Sequence, residues 1–219
     1  MTHNAPALLW DLDGTIVDSK DCHYHAWTLI LGEMGLTLDE ELFLASFGRN
    51  NQSSLPQYLG YEPDQALFDK IVQEKESLFL ELVLEESGLI PGVESWLAFA
   101  QENEIRQAVA SSSDQRIISL LLEKFGLLGY FDAIQPGAHL PAKPAPDIFL
   151  LAAEKLGKTP EQCVVVEDSL AGVQGGKNAG MKCVAVTSTF PREALTLADQ
   201  VVDDYTGPLR PILQALALL

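Results

Sequence analysis

Four short apolar runs constrain this chain more than any other feature. Residues 6–11 (PALLWD), 105–110 (IRQAVA), 163–167 (CVVVE) and 182–187 (KCVAVT) are rich in Val, Ile and Leu. Continuous apolar character, rather than strict alternation, marks strands covered on both faces. Helical patterns at 92–103, 114–125, 146–156 and 169–179 separate or follow them. Such strand–helix alternation predicts an α/β fold: a doubly wound, Rossmann-like parallel sheet with helices on both faces.

Residues 17–87 break this texture. They contain helical stretches at 20–34, 38–46 and 63–85 and no convincing strand, and Gly88 and Pro91-Gly92 punctuate their end. We read them as a helical cap domain inserted directly after the first strand. That leaves 1–16 and 88–219 as the core domain. The plainer alternative is that these helices extend the core. A length of 219 residues suits one core plus a modest insertion.

Composition narrows the partners. The formal net charge of −17 argues against nucleic acid and anionic membrane as ligands, since both require basic surface. No apolar stretch approaches the about 20 residues of a membrane span, and MTHNAPALLWDLDG lacks the basic start of a secretory signal. Cys22, Cys163 and Cys183 show no metal-ligand spacing, and an odd count without a signal peptide fits reduced thiols in a cytoplasmic protein.

The polar residues at the strand ends carry the chemistry. In doubly wound folds, ligands bind beyond the carboxyl ends of the strands. The first strand ends in Asp11-Leu12-Asp13-Gly14-Thr15, the second in Ser111-Ser112-Ser113 and the fourth in Glu167-Asp168-Ser169. Lys143 lies in the loop AKPAPD before a helix. Asp11 can attack phosphorus and form an acyl phosphate. Asp13 is close enough to shuttle a proton to the leaving oxygen and later from water. Mg²⁺ takes carboxylate oxygens, which Asp11 and Asp168 would supply, with the Asp13 carbonyl as a further ligand. Lys143 and the hydroxyls of Ser111 and Ser112 would hold phosphoryl oxygens.

Taken singly, each signal has a plainer explanation. D-x-D-G is also a turn, Ser111 a helix cap, Lys143 a solvated loop lysine, and Asp168-Ser169 a cap of the next helix. Taken together and in this order, DLDGT, AVASS, AKPAPD and VVEDSLAG resemble the four motifs of the haloacid dehalogenase superfamily. The subgroup is the one holding β-phosphoglucomutase and small sugar-phosphate phosphatases, and the resemblance spans nearly the whole chain. It implies Asp11 as nucleophile, Asp13 as acid/base, Ser111 and Lys143 as phosphate holders, and Asp168 with Glu167 in a Mg²⁺ site. It also implies a helical cap after the first motif.

Within the expected cap, His23 and Trp27 are four apart and share a helix face, whereas His25 lies about 200° round the helix and is expected in solvent. HYHAW resembles the cap segment of β-phosphoglucomutase in which the corresponding His and Trp face the sugar phosphate; otherwise Trp27 is cap core. FGRNNQSSL (47–55) is expected to open a cap helix toward the site, with Arg49 placed to grip a second phosphate or a carboxylate. Counted from Gly48, however, the mutase's phosphate-gripping arginine aligns near Asn51. The reading that follows is a Mg²⁺-dependent phosphatase of a small phosphorylated metabolite, active as a monomer or weak dimer. The alternative is a phosphosugar mutase. Phosphonate cleavage would require a Schiff-base lysine in the cap, and Lys20, Lys70 and Lys75 carry no motif for that role.

Overall fold

The computed structural model describes residues 6–218. Six parallel strands form one sheet in the order β3-β2-β1-β4-β5-β6: β1 (Ala7–Trp10), β2 (Arg106–Ser111), β3 (Ala133–Pro136), β4 (Cys163–Glu167), β5 (Lys182–Val186) and β6 (Gln200–Val202). The chain winds outward from β1 through β2 to β3, then restarts at β4 on the other side of β1. The reversal opens a crevice at the carboxyl end of β1, where such sheets bind ligands.

Four of these strands are the apolar runs expected from the sequence. The edge strands β3 and β6 were not expected, nor was the last helix. The core helices α5 (Val93–Glu102), α6 (Gln115–Lys124), α7 (Asp147–Lys155) and α8 (Leu170–Asn178) lie where the helical patterns fell, and α9 (Leu209–Ala215) follows β6.

Alternate strand residues face opposite layers, as a pleated strand requires. Leu8, Trp10, Val109, Val164, Val166, Val184 and Val186 pack with α5, α6 and α9. Ala7, Leu9, Ala108, Ala110, Val165 and Ala185 face α7 and α8. The first layer takes the bulk: Trp10, Trp96 and Tyr205 meet edge to face, with ring centroids 4.8–6.4 Å apart. In the second, the sheet's own face is rich in alanine, at Ala7, Ala108, Ala110 and Ala185.

Between β1 and α5 lie four helices: α1 (Lys20–Glu33), α2 (Glu40–Ser46), α3 (Asn51–Leu59) and α4 (Gln65–Glu86). Their outer parts enclose a hydrophobic cluster of their own, including Trp27, Leu31, Phe43, Phe47, Leu55 and Ile71. The base of the insert joins the main core through Cys22 and Ala26 of α1 and Phe79 and Val83 of α4. The insert therefore has its own apolar interior and two helical legs rooted in the sheet layer.

Candidate active site

Parallel register aligns the chemistry. Trp10 is level with Val109 of β2 and Val166 of β4, so Asp11, Ser111 and the Glu167-Asp168 pair emerge side by side. The Asp11 amide still donates to Val166 O at 2.9 Å, which fixes the residue to the end of the sheet. Gly14 then turns the chain at a positive φ of 79°, and a Cβ there would lie 2.1 Å from Asp168 Oδ2. Only glycine permits this approach.

Lys143 is buried against this edge and donates to Asp11 Oδ1 at 2.5 Å and Glu167 Oε1 at 2.8 Å. The other oxygen of Glu167 accepts from the backbone amides of Asp168 and Ser169 and from Ser169 Oγ. Asp168 Oδ1 accepts from Thr15 Oγ1 at 3.0 Å, while its Oδ2 is buried with no hydrogen-bond partner among the described residues.

Asp11, Glu167 and Asp168 bring carboxylate oxygens within 4.8 Å of one another, all buried. Three carboxylates against one ammonium would leave two negative charges uncompensated in a low-dielectric setting, which proteins do not sustain without a cation or protons. Burial is the largest cause raising Asp11 to about 8, with Glu167 and Asp13 adding to it against the attraction of Lys143. Asp168 is likewise pushed well up by burial and by its two acidic neighbours. A hard divalent ion would satisfy the charge, the all-oxygen donor set and the orphaned Asp168 Oδ2 together.

Asp13 faces the other way, into a pocket beneath the insert. Burial would raise its pKa, but His23, Ser19 and Lys75 hold the carboxylate form and bring it down to about 2. His23 Nε2 lies 3.1 Å from Asp13 Oδ1, and Ser19 Oγ donates to the same oxygen at 2.7 Å. On its far side, His23 Nδ1 is 3.0 Å from Lys75 Nζ. An ammonium can only donate, so Nδ1 accepts and Nε2 carries the proton given to Asp13. Burial and the nearby lysine lower the His23 pKa against the opposing pull of Asp13. His23 also stacks on Phe79 with ring centroids 3.7 Å apart.

The pocket encloses about 60 Å³ and is lined by Asp11, Asp13, His23, Trp27, Arg49 and Ser112, among others. Six residues singled out from the sequence thus converge on one cavity. Ser111, Lys143, Glu167 and Asp168 sit behind it, around Asp11. Ser111 is fully buried and its hydroxyl accepts from the Ser113 amide at 3.2 Å. Ser112 lines the cavity, and its hydroxyl donates to Gly48 O at 2.7 Å. Trp27 lines the pocket and also packs in the insert's interior. His25 is exposed, as its helical phase required.

Sequence reading passed over several pocket residues. Lys75 is buried, 2% exposed, and lies within cation–π distance of Trp27 and Phe79. Its signal was present in the row Ile71, Lys75, Phe79 and Val83, a lysine at every-fourth spacing on an otherwise apolar face of α4. Ser19 caps α1 by position, yet its side chain turns to Asp13. Glu76 and Ser113 had no signal of their own.

The insert is shut on the core. Asn50, which caps α3, donates to Gly137 O at 3.0 Å and Leu140 O at 2.9 Å. Gly48 passes so near α8 that a Cβ would stand 2.2 Å from Ser169 Oγ, at a φ of 85°.

An acid nucleophile candidate, a second carboxylate facing a cavity and a cation-ready cluster at the reversal of a doubly wound sheet define an enzyme rather than a binding module. A family model described as haloacid dehalogenase-like hydrolase matches residues 8–186, and the chain belongs to that family. Its relatives divide between hydrolysis and mutation. The fructose-1-phosphate phosphatase YqaB of Escherichia coli is 35% identical over 192 residues, covering 82% of this chain and 95% of its own. The β-phosphoglucomutase of Bacillus subtilis is 30% identical over 210 residues, 91% of each chain. The crystal structure of β-phosphoglucomutase from Clostridium difficile superposes with a TM-score of 0.88 at 27% identity, covering 97% of both chains.

Proposed function

We propose that this chain is a Mg²⁺-dependent phosphatase of a small phosphorylated metabolite, with a sugar phosphate as the leading class. The observation that carries the reading is the placement of Asp11 between two different settings. Behind it stand Lys143 and the Glu167–Asp168 pair; in front lies the cavity shared with Asp13.

Asp11 attacks the phosphorus of the ester, forming phospho-Asp11 as the P–O bond to the leaving alcohol breaks. Asp13 supplies the proton to that alcohol's oxygen. With a pKa of about 2 in the substrate-free site, Asp13 starts as a base. An incoming phosphate dianion beside it favours the protonated form, so Asp13 takes up a proton from solvent as substrate binds and gives it to the alcohol oxygen in the first step. In the second step Asp13 takes a proton from water, which attacks phospho-Asp11 and releases inorganic phosphate. Mg²⁺, held by Asp11, Asp168 and the Asp13 carbonyl with Glu167 beside it, would neutralise phosphoryl charge and keep Asp11 ionised. Lys143 and the Ser111–Ser113 loop offset the remaining charge.

We read residues 17–87 as the cap domain and 1–16 with 88–219 as the core, residues 1–5 and 219 lying outside those described. The cavity beneath the cap holds about 60 Å³, and we infer that the cap lifts to admit substrate. The relative that hydrolyses fructose 1-phosphate supports a ketose or aldose phosphate as substrate. Three buried free thiols support a reducing, cytoplasmic setting, and no helix among the described residues is long and apolar enough to cross a membrane. A second reading, the phosphosugar mutase, is favoured by Arg49, a cation on the cavity wall able to grip a second phosphate. The experiment is phosphate release across a panel of phosphorylated metabolites, with Mg²⁺ and with excess chelator. Release from a sugar monophosphate only when Mg²⁺ is present supports the reading; no release from any ester refutes it.

A further inference from the structure

Glu76 follows Lys75 on α4 and shares the cavity wall with Arg49, Asn51 and Asp13. It is half-buried, and Asn51 Nδ2 donates to its Oε1 at 2.9 Å. This amide fixes the carboxylate on the cavity wall. The hydrogen bond closes a span of 25 residues and leaves further lone pairs of the carboxylate for another donor. Burial, with the nearby Asp114 carboxylate adding to it, raises the Glu76 pKa against the pull of Lys75.

On the cavity wall Asp11, Asp13 and Glu76 are acidic, and Arg49 and Lys75 basic. Arg49 makes no ion pair among the described residues, and its Nε is buried without a partner. Lys75 is directed at His23 rather than at open space. A substrate bringing one phosphate to Asp11 and hydroxyls to the cap finds an acceptor in Glu76 and a donor in Arg49. A substrate bringing a second phosphate also meets Arg49, but against the carboxylate of Glu76.

We propose that Glu76, held by Asn51, is a specificity-determining residue that accepts a hydroxyl of the leaving group and turns away a second phosphate, making this a site for monophosphorylated polyols. The inference rests on the phosphatase reading and names the substrate class within it. Selectivity of this kind comes from a repulsive element as much as an attractive one. It also explains why Arg49 alone does not make a bisphosphate site: its charge is opposed within the same cavity.

The test measures binding, so that it stands apart from turnover. Asp11→Asn protein, with Mg²⁺, is titrated calorimetrically with β-glucose 1-phosphate and with glucose 1,6-bisphosphate, alone and combined with Glu76→Gln. The monophosphate should bind more tightly to Asp11→Asn. Glu76→Gln should shift the preference toward the bisphosphate by about tenfold, the scale of one short-range charge interaction. Glu74→Gln, the same charge change at an exposed position on α4 paired with Lys70, should leave the preference unchanged. The proposal is overturned if the ratio stays within about twofold of the starting protein or moves equally with Glu74→Gln. It is overturned as well if the bisphosphate is already preferred, or if neither sugar binds. Wild-type protein that releases no phosphate from any ester refutes the phosphatase reading instead, whatever the binding ratio shows.

Discussion

The two walls of the cavity are built differently. On the sheet side, Asp11, Lys143, Glu167 and Asp168 are buried and tied to one another or to backbone amides, with only Asp168 Oδ2 left unpartnered. On the insert side, the groups are joined by side-chain contacts between helices: His23 of α1 to Lys75 of α4, and Asn51 of α3 to Glu76 of α4. A wall anchored in backbone suits a reaction that needs fixed geometry. A wall of side chains joined helix to helix suits recognition, because substitutions there change what is bound without disturbing the sheet.

The sharpest way to break this contrast is at the sheet. Asp11→Asn removes the attacking charge while keeping the shape, and should lower kcat by at least about a thousandfold, measured as phosphate release. Activity within about tenfold of wild type would remove Asp11 from its role.

Metal removal should have an effect nearly as large. Without a divalent cation, burial and the neighbouring carboxylates raise the Asp11 pKa and disfavour the ionised form that attacks. Excess EDTA should abolish turnover and Mg²⁺ restore it, whereas Ca²⁺ should inhibit because it accepts looser geometry. Full activity in chelator would contradict the charge argument.

The insert predicts an opposite pairing of effects, activity lost and stability gained. Burial lowers Lys75 from 10.5 to about 8. Between these values the unfolded chain binds more protons than the folded one, so stability rises with pH from about 8 to 10. Below pH 8 the full cost of burying the charge is present, an upper bound of ~3 kcal/mol. Lys75→Met should therefore raise Tm at pH 7 and flatten that pH dependence. Loss of the ammonium behind His23 should lower kcat by about tenfold to a hundredfold. A variant less stable than wild type at pH 7 would refute the assignment of strain to Lys75.

The smallest effect belongs to the contact between the walls. Asn50→Ala removes the bonds to Gly137 O and Leu140 O and a helix cap worth ~1 kcal/mol. It should shift KM severalfold with little change at Asp11, seen as a KM change exceeding that in kcat.

The same contrast governs what the amino-acid sequence discloses. Strands β1, β2, β4 and β5 were legible because strands covered on both faces are apolar throughout. At the sheet edges, β3 (AIQP) and β6 (QVV) are short and half-buried, so they lack that signature. α9 (LRPILQA) is a short helix containing a proline. Asp11, Asp13, Lys143, Glu167 and Asp168 were legible because each follows or precedes an element that fixes its position. The insert's wall was half legible. His23 and Trp27 share one helix face, but Lys75 meets His23 across 52 residues, and Glu76 meets Asn51 only when α3 and α4 pack. Contacts between elements leave little trace in local pattern.

The central claim is that phospho-Asp11 forms at the sheet wall and is delivered to water by Asp13, which His23 of the insert holds. It is tested most directly by following β-glucose 1-phosphate by ³¹P NMR, with catalytic glucose 1,6-bisphosphate and Mg²⁺. The sugar monophosphate best cleaved in the panel is run beside it. We expect inorganic phosphate to accumulate from the panel sugar, and glucose 6-phosphate to form slowly or not at all. Rapid conversion to glucose 6-phosphate without inorganic phosphate would contradict the account and make this chain a mutase.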